Sequence, residues 1–375
     1  MFLGITRQVE TAMKLTTARL KVCAAYAFAA TVATLSAINA AFADEGGVSF
    51  WLPGIYGSLA AVPQQQPGWA FATFNYFASV SASGDVARAR EIEVGKFPVS
   101  LMGSVNLNLH STVDIQAFVP SYAFATPVFG GQATVGLMAL YGGNRTSVAG
   151  TLNGTVTGPG GTVIPFMRSD SITDSVTGFG DLYPQFSLRW NAGVNNYMVY
   201  MTGDIPVGAY DSTRLANIGI GHGAFDAGAG YTYFNPQSGH EFSGVLGFTA
   251  NMINPATQYQ NGVDMHFDWG ASQFLSKQVS VGLVGYVYRE IGCDNGSGDR
   301  VGCFQSQVAS VGPQISFLFP VGNMQGYLNF KGYGEFDAKD RASGWNAWVT
   351  FSLSPAAPAA APSPPSIVTK APPRS

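Results

Sequence analysis

Charge is scarce in this sequence. Asp, Glu, Lys and Arg make up 11% of its 375 residues, where a soluble globular protein carries about a quarter. A water-facing globule of this size needs a charged surface, so much of this one is expected to meet something other than water. Positive charge is scarcer still, with 19 Lys and Arg against 22 Asp and Glu. That balance offers no clustered basic surface and excludes a nucleic-acid partner. Long apolar runs are missing after residue 43. No later stretch reaches the roughly 18 residues of a membrane-spanning helix, which excludes a helical membrane protein. Cysteine is nearly absent, with three in the chain and no C-x-x-C, so no dithiol redox motif is present.

The N-terminus explains part of the imbalance. Lys14, Arg19 and Lys21 precede an apolar core, VCAAYAFAATVATL (22–35), and AFA (41–43) places small residues before Asp44. This is the layout of a cleaved secretory signal over residues 1–43. An uncleaved anchor over 22–43 is the alternative, but the small-residue end followed by two acids suits cleavage better. Its removal leaves 15 basic against 21 acidic residues, a net charge of −6, and two thiols, Cys293 and Cys303.

A secreted chain without helices long enough to cross can still span a bilayer as a closed barrel, where each backbone group pairs with a neighbouring strand. Such strands alternate apolar and polar residues with a period of two. GVDMHFDWGAS (262–272) does so, with Val263, Met265, Phe267, Trp269 and Ala271 on one face and Asp264, His266, Asp268 and Ser272 on the other. NMQGYLNFKGYGEF (323–336), PQFSLRWNA (184–192) and EFSGVLGFTANM (241–252) repeat the scheme. Their polar faces carry Arg189, Glu241, Lys331 and Glu335 among many Asn, Gln, Ser and Thr. A soluble sandwich would instead show a Lys- and Glu-rich outer face. Trp69, Tyr183, Trp190, Tyr197, Tyr231, Tyr233, Trp269, Tyr286, Tyr288, Trp345 and Trp348 fall near strand ends, where aromatic girdles sit at a membrane surface.

Short connections, NAGVNN (191–196), NPQSGH (235–240), LSKQ (275–278) and PVGN (320–323), alternate with longer ones at 208–223, 254–262, 292–303 and 337–344. That alternation describes an up-and-down meander with tight periplasmic turns and long extracellular loops. The expected fold is all-β, a transmembrane antiparallel barrel over residues 68–354 with 12 strands, or 14. Residues 44–67 either lead into the barrel or plug it. Residues 355–375 form a Pro/Ala-rich tail too poor in apolar residues to pack.

Six segments carry a resemblance: GFGDLYPQFSLRW (178–190), GDIPVGAYD (203–211), NPATQYQNGVDMHFDW (254–269), GYVYREIG (285–292), VGPQISF (311–317) and FKGYGEFDAKDRASGW (330–345). Together they resemble the meta-pathway phenol degradation family, transporter-like outer-membrane barrels found near genes for aromatic catabolism. The match runs from about 68 to 353 and is strongest after 178. The resemblance implies a channel in the Gram-negative outer membrane for passive uptake of small aromatic or hydrophobic compounds. Its partners would be outer-membrane lipid, those solutes and the barrel assembly machinery, and the protein would be a monomer. A structural or adhesive surface barrel with a blocked lumen is the competing reading.

No catalytic residue, cofactor or metal is assigned. His110, His222, His240 and His266 could serve as bases, but no G-x-S-x-G elbow accompanies them. Asp264, His266 and Asp268 share a strand face, yet one His-x-Asp offers too few ligands to define a metal geometry. They are read as pore lining, together with Asp181, Arg189, Glu241, Lys331 and Glu335. Asp181 belongs to Gly178, Phe179, Gly180 and Pro184, a motif read chiefly as a tight start to a strand. The loop GCDNGSGDRVGC (292–303) does not fit calcium, because glycines fall where an EF-hand needs ligands and no Glu closes it. In an oxidising compartment its two thiols, at the ends of adjacent strands, are expected to form a disulfide between Cys293 and Cys303.

Overall fold

The computed structural model describes residues 49–83, 103–157, 163–299, 303 and 305–357. The signal read over 1–43 and the tail beyond 357 lie outside the described residues. Twelve strands follow one another: β1 Gly68–Ser83, β2 Gly103–Ala123, β3 Gln132–Thr157, β4 Val163–Ala192, β5 Asn195–Gly203 and β6 Ala224–Phe234 come first. They are followed by β7 His240–Asn251, β8 Val263–Phe274, β9 Val279–Glu290, β10 Gln307–Val321, β11 Met324–Lys339 and β12 Ser343–Pro355. Each pairs antiparallel with its sequence neighbours, and β1 closes the barrel on β12, Phe71 facing Leu353 and Ser81 facing Ser343. Closure gives every strand a neighbour on each side, although β4 pairs with β5 only over Gln185–Ala192.

Solvent exposure is inverted relative to a soluble protein. On β7, Phe242, Leu246 and Phe248 are each more than two-fifths exposed, while Glu241, Ser243, Thr249 and Asn251 are buried. β8 and β11 repeat this with Val263 and Phe330 outside and Asp264, His266, Asp268, Asn329 and Lys331 inside. The apolar surface faces outward because lipid, not water, is the solvent there, and the polar groups gather in the lumen.

The β3–β4 hairpin departs from the sequence reading. β4 spans 30 residues and pairs with β3 continuously from Gln132–Arg189 to Thr157–Val163, apart from a bulge at Ala139/Tyr141. The motif around Asp181 therefore lies within a long strand, not at its start. Residues 169–177 are Ser-, Thr- and Asp-rich with apolar side chains only at Ile172 and Val176, too sparse a stripe for the period to reveal the strand, although Ile172 packs against the cluster of Leu107, Leu109, Val148 and Leu215. The girdle assignment also needs correction. Trp69, Tyr197 and Trp345 face outward, but Tyr183, Tyr286, Tyr288 and Trp348 are buried in the lumen.

Cys293 and Cys303 are disulfide-bonded across a sequence separation of 10. Residues so close in sequence close a small ring, worth about 2–3 kcal/mol in the chain-entropy model. Replacing both by Ser is expected to lower barrel stability by that amount, measured as a shift in denaturant midpoint. A thiol titration of the unreduced protein without residues 1–43 should find no free cysteine.

Candidate functional site

The inward-facing side chains converge on a segment that belongs to no strand. Residues 49–67 run along the inner wall, held by polar side chains from seven strands, six of which reach their backbone. The Gly54 and Tyr56 amides donate to Asp268 Oδ1 and Oδ2 at 2.9 and 3.2 Å. Leu59 N–H donates to Glu241 Oε1 at 2.9 Å, Ala61 N–H to Thr232 Oγ1 at 3.0 Å, and Gln64 N–H to Gln132 Oε1 at 2.8 Å. On the carbonyl side, Lys331 Nζ donates to Gly54 O, to Ile55 O at 3.1 Å and to Tyr56 O at 3.3 Å. Arg189 Nε reaches Ala60 O at 3.4 Å, and Gln314 Nε2 reaches Ser58 Oγ at 2.6 Å. A non-strand backbone inside a membrane barrel needs such partners, since buried amides without acceptors are costly. Gly270 makes room for it: a Cβ there would lie 2.7 Å from Ser58 N.

Aromatic contacts fix the front of the segment. Trp51 stacks on His266 with ring centroids 3.6 Å apart and planes at 14°, and Phe50 lies 5.5 Å from Tyr183. His266 Nε2 is 2.8 Å from Asp226 Oδ2, which also accepts from Thr249 Oγ1 at 2.7 Å. Gly247 leaves space for this cluster, because a Cβ there would fall 2.1 Å from Tyr200 Oη and 2.5 Å from His266 Cε1.

The residues named from sequence thus separate into groups. Glu241, Asp268, Lys331 and Arg189 contact the segment directly. His266 touches it through Trp51 and pairs with Asp226. Asp264 accepts from Asn251 Nδ2 at 2.9 Å. Glu335 accepts from Tyr286 Oη at 2.6 Å and from Gly344 N–H at 2.8 Å, at the long-loop end. Asp181 organises the β5–β6 connection, accepting from Gly208 N–H at 2.7 Å and Ile220 N–H at 2.8 Å. In that connection Asp204 is buried, and burial, then the Asp181 carboxylate, push it up to about 8. Asp226, Tyr200, Phe50 and Trp51 were not singled out from sequence. Asp226 alternates with Phe225, which was the available signal, but the glycines and alanines around it blur the period.

Two cavities line the lumen on either side of the segment's aromatic front. One, about 240 Å³, lies toward the short-turn end and is lined by Tyr56, Phe74, Met138, Arg189 and Tyr200 among others. The other, about 180 Å³, lies toward the long loops between Tyr76, Leu109, Leu215, Ile220 and Arg341. Both are bounded by Phe50, Trp51, Leu52 and Tyr183. These four residues, from the segment and the wall, are therefore a boundary common to the two cavities.

A family described as "Putative MetA-pathway of phenol degradation" matches residues 95–351. The chain belongs to this family. Among solved structures, this family member is similar to an outer-membrane channel from Pseudomonas putida F1, with a TM-score of 0.53 and 12% identity over 81% of this chain and 99% of that one. A Pseudomonas aeruginosa FadL homologue aligns over 77% of this chain and 89% of its own at 10% identity, but its TM-score of 0.34 carries no weight. No curated protein sequence matches the family member. At these identities the likeness establishes the fold: a closed, antiparallel, 12-stranded barrel of the outer-membrane type.

Proposed function

We propose that the protein is a monomeric channel in the Gram-negative outer membrane that lets small aromatic or hydrophobic solutes diffuse inward, with residues 49–67 as the plug that sets the size limit. The observation that carries this reading is the pair of lumenal cavities meeting at Phe50, Trp51, Leu52 and Tyr183. Aromatic and aliphatic side chains line both, so a ring can exchange water for apolar contact at each step. Several of the polar groups in these linings are engaged with the wall itself: Ser111, Asn144 and Thr146 bond to one another, and Glu335 accepts from Tyr286 Oη. Family membership supports the same direction, since the family's description refers to phenol degradation. Mechanistically this is selection by shape and partition, with no chemistry performed on the solute. The long loops, with the Cys293–Cys303 disulfide, face the exterior, and lipid and the barrel assembly machinery are the remaining partners.

The segment's many tethers favour one competing reading, a surface barrel whose lumen is closed. Purified protein reconstituted in liposomes separates the two. A channel gives swelling whose rate falls steeply as the test solute grows, and discrete conductance steps in planar bilayers. A closed barrel gives neither, and that result would remove the channel reading.

A further inference from the structure

Of the two cations that contact the segment, one is saturated and the other is not. The Lys331 ammonium directs its protons at three carbonyls and lies 4.9 Å from the Trp348 ring. Arg189 carries five N–H donors. The structure gives it two hydrogen bonds, Nε to Ala60 O at 3.4 Å and Nη1 to Ser187 Oγ at 2.6 Å, both to neutral acceptors. Among the described residues no carboxylate forms an ion pair with it. A guanidinium in an apolar, half-enclosed site with neutral partners only is an uncompensated charge, and it favours an anion that can meet its fork.

The space beside it is defined. Arg189 lines the 240 Å³ cavity, whose other walls include Phe50, Trp51, Tyr183 and Tyr200. A cavity of about 150 Å³ lined by apolar side chains holds a benzene ring, so this one accommodates a ring bearing a substituent of a few atoms. Trp51 contributes a second observation: it is buried, and its indole Nε1–H has no acceptor among the described residues. Guanidinium N–H groups without acceptors beside an aromatic wall call for a ligand that brings oxygen.

We propose that this cavity is a binding site for a small aromatic carboxylate, its ring between Phe50, Trp51, Tyr183 and Tyr200 and its carboxylate on the Arg189 guanidinium. The assignment rests on the lumen being a solute path and names the solutes that pause in it. The site would raise the local concentration of arene carboxylates beside the boundary between the two cavities while neutral arenes pass with less retention.

Benzoate, benzyl alcohol and acetate, titrated into the folded protein and followed by tryptophan fluorescence and equilibrium dialysis, test this. Benzoate is expected to bind at least tenfold more tightly than either of the others. Arg189→Gln should weaken benzoate about tenfold or more, as expected for loss of a charge-assisted pair, and leave benzyl alcohol unchanged. Arg189→Lys keeps the charge and should keep the preference for benzoate, which preserves the test if Arg189→Gln does not fold. Equal binding of benzoate and benzyl alcohol by the wild type, or by Arg189→Lys, would overturn the site, as would benzoate affinity indifferent to Arg189→Gln. Liposome swelling separates this from the channel reading. Benzoate binding without solute flux would sink the channel alone, and flux without benzoate binding would sink the site alone.

Discussion

Deleting residues 49–66 raises single-channel conductance several-fold. In the intact protein this segment fills the middle of the lumen, leaving cavities of about 240 and 180 Å³ on either side of the Phe50–Trp51–Leu52 front. Its removal leaves a 12-stranded barrel whose wall is complete without it, because β1 pairs with β2 from Gly68 and with β12 from Phe71. The anchors can also be weakened in place. Asp268 accepts two backbone amides and Lys331 donates to three carbonyls. Hydrogen bonds to charged groups contribute about 1.5–3 kcal/mol each. Removing both charges together, as Asp268→Asn with Lys331→Met, leaves no lone buried ion and loosens the segment without deleting it. This double variant is expected to flicker between the wild-type level and the larger level of the deletion. Unchanged conductance in both variants would mean that the segment does not obstruct the path.

Leu246→Arg destabilises the barrel by about 2–4 kcal/mol, the cost of a cation on the lipid face near the bilayer midplane. Leu246 lies mid-strand in β7, 42% exposed, with Ala229 and Phe267 as its cross-strand neighbours. In a water-soluble protein such a substitution at an exposed site would change stability by less than about 0.5 kcal/mol. Thr173→Arg, on the exposed β3–β4 ribbon, is the control and should stay within that limit. Urea midpoints for protein folded in lipid vesicles supply both numbers. A neutral Leu246→Arg would contradict the outward assignment of the apolar face.

Much of the fold could be read from the chain, for an identifiable reason. β7, β8 and β11 each meet lipid on one side and a wet lumen on the other, so the two environments are written into alternate residues. Tight turns at 193–194 and 322–323 then set the strand boundaries. Where both faces share one environment, the signal vanishes. Residues 169–177 carry apolar side chains only at Ile172 and Val176, among Ser, Thr and Asp on both faces, so the long β4 was not foreseen. On β9 both faces carry apolar residues, with Leu283 and Val287 outside and Val284, Tyr286 and Tyr288 inside. Parity there could not separate lumenal tyrosines from a girdle.

The site was legible only by halves. Period assigned Glu241, His266, Asp268 and Lys331 to one face, and they are buried in the lumen. What they hold was not visible, because the partners are distant in sequence. Asp268 binds the amide of Gly54 across 214 residues, and Trp51 stacks on His266 across a similar span. The segment itself has neither helical nor strand periodicity, since the barrel wall supplies its hydrogen bonds. Asp181 illustrates the converse, a residue conspicuous within its glycine-rich motif whose contacts serve to fix the 204–223 connection.

The central claim is that small aromatic compounds cross the outer membrane through this lumen. It is tested most directly by the initial uptake rate of labelled toluene, at limiting concentration, in intact cells that lack the protein, carry it, or carry the form without residues 49–66. The account predicts slow uptake without the protein, faster uptake with it and the fastest uptake with the deletion. Equal rates in all three would contradict it.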